Sequence, residues 1–426
     1  MKYNVLVLGS GGREHALCWK LAQSTLMGEL HCIPGNAGIQ GIAHIHSQPD
    51  ILDFPSLEAF CVQNSIHLIV VGKELPLVHG IKDFFADTKI LVFGPSKHAA
   101  MLEGSKIYTK NLLAKYNIPT ASYHTFFNTD DALYHLESIT KYPLVIKADG
   151  LAQGKGVDIV NNKEEAVASI LDMMEHKKFQ QAGEKIIVED FLEGKELSYQ
   201  VIVNHDQYFE CIPTQDYKKA YDHNQGPNTG GMGNIAPAEW VTEEIQYNIH
   251  RQVVEPFMKA LQTENNPYSG ILFIGLMVNT NNQPTVLEMN VRFGDPESQV
   301  LLPLLESDLL ALMIDIAQNK KLPESYRLDW KKNVSATCVV LTSKGYPDQY
   351  QTGYPIDGLD TLAKMDDCVC FHAGTKKIEK EILTTGGRVL NIVALGKNLQ
   401  ESTKKAYELI DLVSFEGKTY RNDIGE

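Results

Sequence analysis

The chain has 426 residues, 43% of them hydrophobic and 32 of them glycine, so it can bury a large core and divide into roughly two to four domains. Its 53 acidic and 39 basic side chains give a formal net charge of -14, which argues against duplex nucleic acid and anionic membranes as partners. Seven scattered cysteines, no signal-peptide pattern and no long apolar run predict a reduced, soluble protein of the cytoplasm.

Strand and helix patterns alternate in the first part of the chain. Apolar runs predict strands at 5–8, 30–33 and 68–71, and amphipathic segments between them predict helices at about 14–22 and 56–64. This order is typical of a βαβαβ unit with a parallel sheet. We assign it to the first of three predicted domains, at residues 1–103.

A glycine-rich turn, 9–14, follows the first strand. Backbone amides at Gly11 and Gly12, at the start of a helix, can cradle a phosphate. A dinucleotide-binding oxidoreductase is disfavoured, because Glu14 stands in place of the third glycine and no acidic residue ends the second strand. A purely structural turn is the alternative, and the two interpretations are compatible.

The second predicted domain, 104–328, contains a glycine-rich hairpin at 144–160. Two strand-like segments flank a turn from which backbone amides and ammonium groups can reach phosphates. It is not a P-loop, because too few residues separate Gly150 from Gly154 and the next element resembles a strand. An ordinary hairpin with solvated lysines is the alternative.

An apolar strand at 186–190 then runs into an acidic stretch that ends at Glu196. Backbone groups in such a segment can meet the edge of an adenine, and Glu196 can accept hydrogen bonds from ribose hydroxyls. A solvated acidic loop is the ordinary explanation for this pattern alone.

Three polar side chains alternate along the segment 285–297: Glu288, Asn290 and Arg292. Because side chains of a strand alternate between its faces, we predict that these three share one face. The opposite face is predicted to carry Leu287, Met289 and Val291. Carboxylate and amide oxygens suit Mg²⁺, and a guanidinium suits phosphate or carboxylate. An edge strand with a polar solvent side is the alternative.

The third predicted domain, 329–426, is rich in strand patterns. Strands are predicted at 335–341, 368–372 and 389–395, with turns at 345–347 and 386–387 and a final helix at about 402–412.

In chain order, a lysine, a glycine-rich hairpin, an acidic hinge and a Glu-Met-Asn strand resemble the ATP-grasp superfamily of carboxylate–amine ligases. More specific segments resemble the glycinamide ribonucleotide synthetase (phosphoribosylamine–glycine ligase) family, namely 9–16, 226–233, 292–297, 372–375 and 386–390. The resemblance covers essentially the whole chain. It implies an α/β fold, α+β overall, with an N-terminal parallel βαβ domain, a central ATP-grasp domain and a strand-rich C-terminal domain.

The resemblance also implies a reaction. Glycine attacks the γ-phosphate of ATP to give glycyl phosphate and ADP, and the amine of 5-phosphoribosylamine then displaces phosphate to give glycinamide ribonucleotide. The implied cofactors are ATP with Mg²⁺ or Mn²⁺. The implied partners are these small molecules alone, with the protein a monomer or weak homodimer.

Roles for individual residues follow from the resemblance. Nucleotide contacts are implied for Lys106, Lys147, Gly154, Gly156, Glu189, Phe191, Leu192 and Glu196. Contacts to the other substrates are implied for Gly11, Gly12, Arg13, Glu74, Asp216, Lys218, Asn228, Thr229, Gly230 and Gly231.

Metal binding and catalysis are implied for five further residues. Glu288 and Asn290 hold the metal, and Lys155 closes over the phosphates as part of a mobile flap. Arg292 neutralises charge that develops on the transferred phosphate or the acyl phosphate. Asp295 either orients Arg292 or meets the substrate amine.

Four positions depart from the usual pattern of the family. It usually has proline and alanine where Lys73 and Leu75 stand, and histidine and arginine where Tyr217 and Lys219 stand. Lysine cannot reproduce the bidentate contact of arginine. These changes leave open a related ligase with another amine acceptor. A regulatory nucleotide-binding protein that has lost catalysis is a third hypothesis. It is opposed by the presence of Lys147, Glu288, Asn290 and Arg292.

Overall fold

The computed structural model describes residues 1–152 and 156–426. Two of the predicted contacts to ATP, Gly154 and Lys155, lie outside the described residues.

The N-terminal part forms the predicted parallel sheet. Its elements are β1 (Tyr3–Gly9), α1 (Gly12–Leu21), β2 (Met27–Pro34), β3 (His44–Ile45), α2 (Phe54–Gln63), β4 (Leu68–Val71), α3 (Glu74–Val78), α4 (Ile81–Phe84), β5 (Leu91–Phe93) and α5 (Lys97–Gly104). The strand order is β3-β2-β1-β4-β5, and every pairing is parallel. Residues 5–8 of β1 are fully buried, as expected where helices cover both faces of a parallel sheet. The carboxyl end of β1 leads directly into the glycine-rich turn.

A second, antiparallel sheet contains the predicted glycine-rich hairpin. The elements of this region are α6 (Lys106–Lys115), β6 (Tyr123–Phe126), α7 (Thr129–Leu136), β7 (Leu144–Ala148), β8 (Val157–Val160), α8 (Lys163–Met174) and β9 (Ile186–Asp190). The strand order is β6-β9-β7-β8, and the hairpin pairs Leu144 with Val160 and Lys147 with Val157. The hydroxyl of Ser105 caps the start of α6 by accepting from the Tyr108 amide.

The third sheet contains the Glu-Met-Asn strand. Its region comprises β10 (Lys195–Asn204), β11 (Gln207–Glu210), β12 (Gln215–Asp216), β13 (Lys219–Tyr221), β14 (Gln225–Asn228), β15 (Gly233–Ala236), α9 (Glu243–Ile249), α10 (Glu255–Thr263), β16 (Ser269–Val278), β17 (Pro284–Asn290), α11 (Glu297–Leu304) and α12 (Leu309–Ala317). A π-helical turn, His250–Val254, joins α9 to α10. The sheet has the order β11-β10-β16-β17, with β17 at one edge.

A bulge in β17 corrects one predicted face. Gly275 of β16 pairs with Glu288, whereas the next residue, Leu276, pairs with Val286, so Leu287 is the extra residue. Leu287 is only half-buried and is not part of the core cluster, so the prediction that it joins the apolar face is wrong. The buried face is formed by Val286, Met289 and Val291.

The C-terminal part is mainly antiparallel. Its elements are β18 (Ser335–Ser343), α13 (Leu359–Leu362), β19 (Cys368–His372), β20 (Thr375–Ile378), β21 (Glu381–Thr384), β22 (Arg388–Gly396), α14 (Leu399–Ile410) and β23 (Lys418–Thr419). The main sheet has the order β12-β15-β18-β22-β19, with β23 paired to β18. Because β12 and β15 come from the preceding region, this sheet crosses the predicted boundary at 328. That boundary stays a prediction.

The seven cysteines are all free thiols. Over the described parts of the chain, no helix combines the length and the apolar character that crossing a membrane requires.

Candidate active site

One cavity of about 330 Å³ lies between helix α6, the strands of the hairpin sheet and β17. Most of the predicted site residues line it: Glu74, Lys106, Lys147, Gly156, Glu189, Phe191, Leu192, Glu196, Asp216, Lys218, Asn228, Thr229, Gly230, Glu288, Asn290, Arg292 and Asp295. Four predicted substrate contacts do not line it: Gly11, Gly12, Arg13 and Gly231.

Hydrogen bonds join the start of α6 to residues 149–150, which follow β7 in the glycine-rich hairpin. The Oδ1 atom of Asp149 accepts from the Ser105 hydroxyl at 2.9 Å and from the Ile107 amide at 2.8 Å. The ammonium group of Lys106 donates to the carbonyl of Gly150 at 3.1 Å. Burial lowers the pKa of Lys106, partly opposed by the nearby Glu288 carboxylate. Lys106 is thereby held at the mouth of the hairpin.

A buried ion cluster forms the next part of the wall. Glu189 Oε2 lies 3.0 Å from Lys147 Nζ and 2.9 Å from Lys110 Nζ, and all three side chains are buried. Lys147 also donates to the Leu287 carbonyl at 3.0 Å. Sequence reasoning missed Lys110, although its position one turn after Lys106 places both lysines on the same face of α6.

The acidic stretch that follows β9 and ends at Glu196 contributes both apolar and charged side chains to the cavity wall. Phe191, Leu192 and Glu196 line it beside apolar side chains such as Val145 and Met277. An apolar slot with a carboxylate at its rim suits a flat base joined to a hydroxylated sugar.

The predicted metal ligands lie opposite an ammonium group. Lys218 Nζ is 3.1 Å from Glu288 Oε1 and 3.9 Å from Glu196 Oε2. The charge of Lys218 lowers the pKa of Glu288 to about 2, so this carboxylate is ionised at neutral pH. Over residues 1–152 and 156–426, no cluster of three or more His, Cys, Asp or Glu side chains is arranged to hold a metal. A Glu–Asn pair still fits Mg²⁺, which takes few protein oxygens and completes its shell with phosphates and water.

Arg292 is held by two carboxylates. Its Nη2 lies 3.1 Å from Glu103 Oε1, and its Nε lies 3.8 Å from Glu74 Oε2. Glu103 also accepts from the Val291 amide at 2.8 Å, which fixes it below the strand end. Burial raises the pKa of Glu103, and the guanidinium of Arg292 opposes that shift. Glu103 carries no sequence signal, because nothing local distinguishes it from other helical acids.

Asp295 pairs with an arginine from the C-terminal part. Its Oδ2 is 3.3 Å from Arg388 Nη2, and its Oδ1 accepts from Gln299 at 2.7 Å. Arg388 also donates to the carbonyls of Gly230 and Asp295. The partner of Asp295 is therefore Arg388, and Arg292 has other partners. Arg388 lies in the 386–390 motif, so the signal was present but was not read as a site residue.

Two further carboxyls lie close together. The Oδ1 atom of Asp216 is buried without a hydrogen-bond partner among the residues described, and Glu297 accepts from the Ser198 hydroxyl at 2.8 Å. Burial, reinforced by the charge of Glu297, raises the pKa of Asp216, and burial likewise raises that of Glu297. Glu297 was missed, although it closes the 292–297 motif.

In the glycine-rich turn after β1, the side chain of Glu14 occupies the position near the Gly11 amide. The Gly11 amide donates to Glu14 Oε2 at 2.5 Å, and Arg13 Nε lies 2.7 Å from Glu14 Oε1. Arg13 also donates to the Phe293 carbonyl at 3.2 Å. The Gly11 amide is therefore already paired, and phosphate binding at this turn remains a prediction. The turn lies beside Asp295, because a Cβ atom added at Gly11 would come within 3.2 Å of Asp295 Oδ2.

Of the four departures from the family pattern, three lie away from the cavity wall and one lines it. Tyr217 is buried in the C-terminal core, where its ring lies 5.1 Å from the guanidinium of Arg421 and its hydroxyl accepts from the Gly425 amide. Lys73 and Leu75 are also outside the cavity wall, and Lys219 alone of the four lines it.

Comparison with known proteins identifies the family to which the chain belongs. Models of phosphoribosylglycinamide synthetase match the chain in three parts, the N domain at 3–103, the ATP-grasp (A) domain at 104–298 and the C domain at 336–426. The chain belongs to the phosphoribosylglycinamide synthetase family. The resemblance read from the motifs is confirmed, as is the predicted α/β fold.

Relatives in this family match over the whole chain. The phosphoribosylamine–glycine ligase of Caldanaerobacter subterraneus subsp. tengcongensis is 45% identical over 421 residues, 99% of this chain and 99% of that protein. The ligase of Halalkalibacterium halodurans is 43% identical over 422 residues, 99% of this chain and 96% of that protein. The crystal structure of the Thermotoga maritima ligase has a TM-score of 0.84 at 33% identity, covering 99% of this chain and 100% of that one.

A more distant structure shares only the fold. The biotin carboxylase domain of the Hydrogenobacter thermophilus 2-oxoglutarate carboxylase, solved with MgADP, ADP and bicarbonate, has a TM-score of 0.75 at 15% identity. It covers 98% of this chain and 92% of that one. Enzymes of the ATP-grasp family use ATP with a divalent metal.

Proposed function

We infer that this chain is a phosphoribosylamine–glycine ligase. It joins glycine to 5-phosphoribosylamine through glycyl phosphate and releases glycinamide ribonucleotide, ADP and phosphate, a step of purine biosynthesis. The observation that carries this inference is that one cavity unites Lys106 and Lys147 with the Glu288–Asn290 pair and Arg292, in a chain of this family. Phosphoryl transfer needs such a combination of positioning and charge neutralisation.

The nucleotide occupies the slot between the hairpin sheet and β17. The backbone of Phe191 and Leu192 and the free Oε1 of Glu189 meet the adenine edge, and Glu196 accepts from the ribose hydroxyls. Support comes from the buried Oε1 atom of Glu189, which has no hydrogen-bond partner in the described part of the chain and would be paired by an amino group. Lys106 and Lys147 contact the phosphates, and the role predicted for Gly154, Lys155 and Gly156 is to close over those phosphates as a flap.

Glu288 and Asn290 hold Mg²⁺ or Mn²⁺. The metal neutralises phosphate charge and orients the transferred group. The Lys218 ammonium balances the Glu288 carboxylate at 3.1 Å, and a bound metal would share that carboxylate with it. Lys218 is then available to a substrate carboxylate or phosphate.

The acceptor end of the site lies around Arg292, Asp216 and Asp295. Arg292 neutralises the acyl phosphate, and the free Oδ1 of Asp216 meets a substrate amino group. The amides of residues 228–231 surround the substrates, with Gly11, Gly12, Arg13 and Glu74 on the phosphoribosylamine side. We further propose domains at 1–103, 104–328 and 329–426, a cytoplasmic location and a monomer or weak homodimer.

The decisive test measures ADP release from the purified protein with Mg·ATP, glycine and phosphoribosylamine generated in situ, each omitted in turn. We expect ADP only when all three are present, with glycinamide ribonucleotide in equal amount. ADP formed with glycine and a different amine would identify a related ligase instead. No ADP with any combination would overturn an enzymatic role.

A further inference from the structure

Lys110 is a buried cation for which the proposed reaction has no role. Its side chain is 5% exposed, and it lines the cavity one turn after Lys106. Burial lowers its pKa to about 8. A buried ammonium group is costly unless close partners compensate, so its position requires a physical reason.

Lys110 and Lys147 share one oxygen of Glu189. Their Nζ atoms lie 2.9 Å and 3.0 Å from Oε2, while Oε1 has no hydrogen-bond partner within the described ranges. Lys110, Lys147 and Glu189 together therefore carry one more positive charge than negative charge. That excess faces the cavity in which ATP phosphates are proposed to lie.

The two lysines are anchored differently to β17. Lys147 donates directly to the Leu287 carbonyl at 3.0 Å. Lys110 donates to the Thr120 hydroxyl at 2.7 Å, and Thr120 donates to the Val286 carbonyl at 3.0 Å. Lys110 thus links α6, β9 and β17 through contacts that a nucleotide phosphate does not replace.

We propose that Lys110 is a positioning residue, which keeps a cation on Glu189 and holds its carboxylate in place when Lys147 turns to the phosphates of bound ATP. A buried carboxylate that loses its last cation is strongly disfavoured. Without Lys110, phosphate binding would either strand Glu189 or leave Lys147 unavailable. This inference rests on the proposed binding of ATP, but not on the ligation step.

The test compares ATP with adenosine, which has no phosphates and leaves Lys147 on Glu189. Calorimetry on the full chain, without glycine or phosphoribosylamine, gives both affinities. We expect Lys110→Met to weaken ATP binding by about tenfold, equivalent to about 1.4 kcal/mol, and adenosine binding by less than about twofold. Lys115→Met, at an exposed lysine on the same helix, is the matched control and should change neither affinity.

Two further variants separate positioning from simple structural support. Lys110→Arg keeps the charge and should bind ATP within about threefold of the unaltered protein, even if Lys110→Met folds poorly. Glu189→Gln removes the charge that Lys110 balances, so adding Lys110→Met to it should cost less than about a further twofold.

Each result has a distinct meaning. Equal losses for ATP and adenosine in Lys110→Met, additive effects in the double variant, or a tenfold loss in Lys110→Arg would overturn the positioning role. If the unaltered protein failed to bind ATP at all, the proposed function would fall with it.

Discussion

Most charged side chains of the cavity are paired with one another. Glu288 pairs with Lys218, Arg292 with Glu103, and Lys147 with Glu189. Because burial without a partner is costly, each charge must exchange its protein partner for a substrate group in one step. Each of these charges therefore has a counter-charge in the protein before substrates bind, and Lys110 adds a second cation beside Glu189.

The metal assignment predicts the effect of Glu288→Gln. The amide keeps the shape but loses the negative charge, so turnover at saturating Mg²⁺ should fall by about a hundredfold or more. A titration of turnover with Mg²⁺ measures this. Glu193→Gln, at an exposed acid near the cavity, is the control. Unchanged turnover in Glu288→Gln would refute the metal role.

The position of Tyr217 predicts that its departure from the family pattern does not alter specificity. Tyr217→His should leave KM for glycine and phosphoribosylamine within about twofold, while it lowers the melting temperature, because the buried ring and its contact with Arg421 are lost. Steady-state kinetics and thermal unfolding measure the two effects. Lys219→Arg, at a position that lines the cavity, is the comparison in which KM should change.

Among the secondary-structure elements, the two central sheets contribute the β7–β8 hairpin and the bulged strand β17 to the cavity. Described residues of the β7–β8 hairpin line the cavity, and the Ala148 amide donates to the Gly156 carbonyl at 2.9 Å. The bulge in β17 takes Leu287 out of the buried apolar face, while Glu288 and Asn290 keep their alternating direction.

The tight base of the hairpin predicts the effect of Gly156→Ala. An added Cβ atom would lie 2.6 Å from that of Ala152, so the turn must shift. We expect KM for ATP to rise by about tenfold with little change in melting temperature, because this turn is proposed to cover the nucleotide and Gly156 lines the cavity rather than the core. Gly41→Ala is the matched control, since a Cβ there would meet no described atom within 4 Å.

At the scale of the whole molecule, the N-terminal, central and C-terminal parts meet around Asp295. Gly11 approaches it from the first part, Gln299 from the second and Arg388 from the third. Gly12 is also close to the C-terminal sheet, because an added Cβ would lie 2.3 Å from Asn391 Nδ2. The proposed acceptor end of the site therefore draws residues from all three parts.

The ion pair between Arg388 and Asp295 predicts how activity depends on pH. The charge of Arg388 contributes to the lowered pKa of Asp295, so Arg388→Met should raise that pKa. Activity should fall by about tenfold at neutral pH, and its acidic limb should move to higher pH. A pH profile of kcat/KM for phosphoribosylamine measures both. Arg327→Met, at an exposed arginine, should leave the profile unchanged.

The interface between α1 and β19 predicts a loss of stability in acid. His15 Nδ1 accepts from the His372 amide at 2.8 Å, and burial lowers the pKa of His15 to about 3. The unfolded chain binds a proton near pH 6.5, so the free energy of unfolding falls as pH drops from 6.5 toward 3. At pH 5 the loss is about 2 kcal/mol for this histidine. Urea unfolding of His15→Gln should show a pH dependence smaller by that amount, and an unchanged dependence would exclude His15 as its source.

The sequence alone predicted the alternating strands and helices of the N-terminal sheet and the cavity-facing direction of Glu288, Asn290 and Arg292. These features are local, because the period of a strand and the chemistry of turns act over a few residues. The hairpin at 144–160 and the parallel unit near the N-terminus were predictable for the same reason.

Only the tertiary structure decided which charges pair. Arg388 and Asp295 lie far apart in the chain, as do Lys110 and Glu189, and no local pattern joins them. The same holds for Glu14, which fills its own glycine turn, and for Tyr217, which the fold turns toward Arg421. Such partners are set by the docking of distant segments, where burial makes unpaired charge too costly to leave.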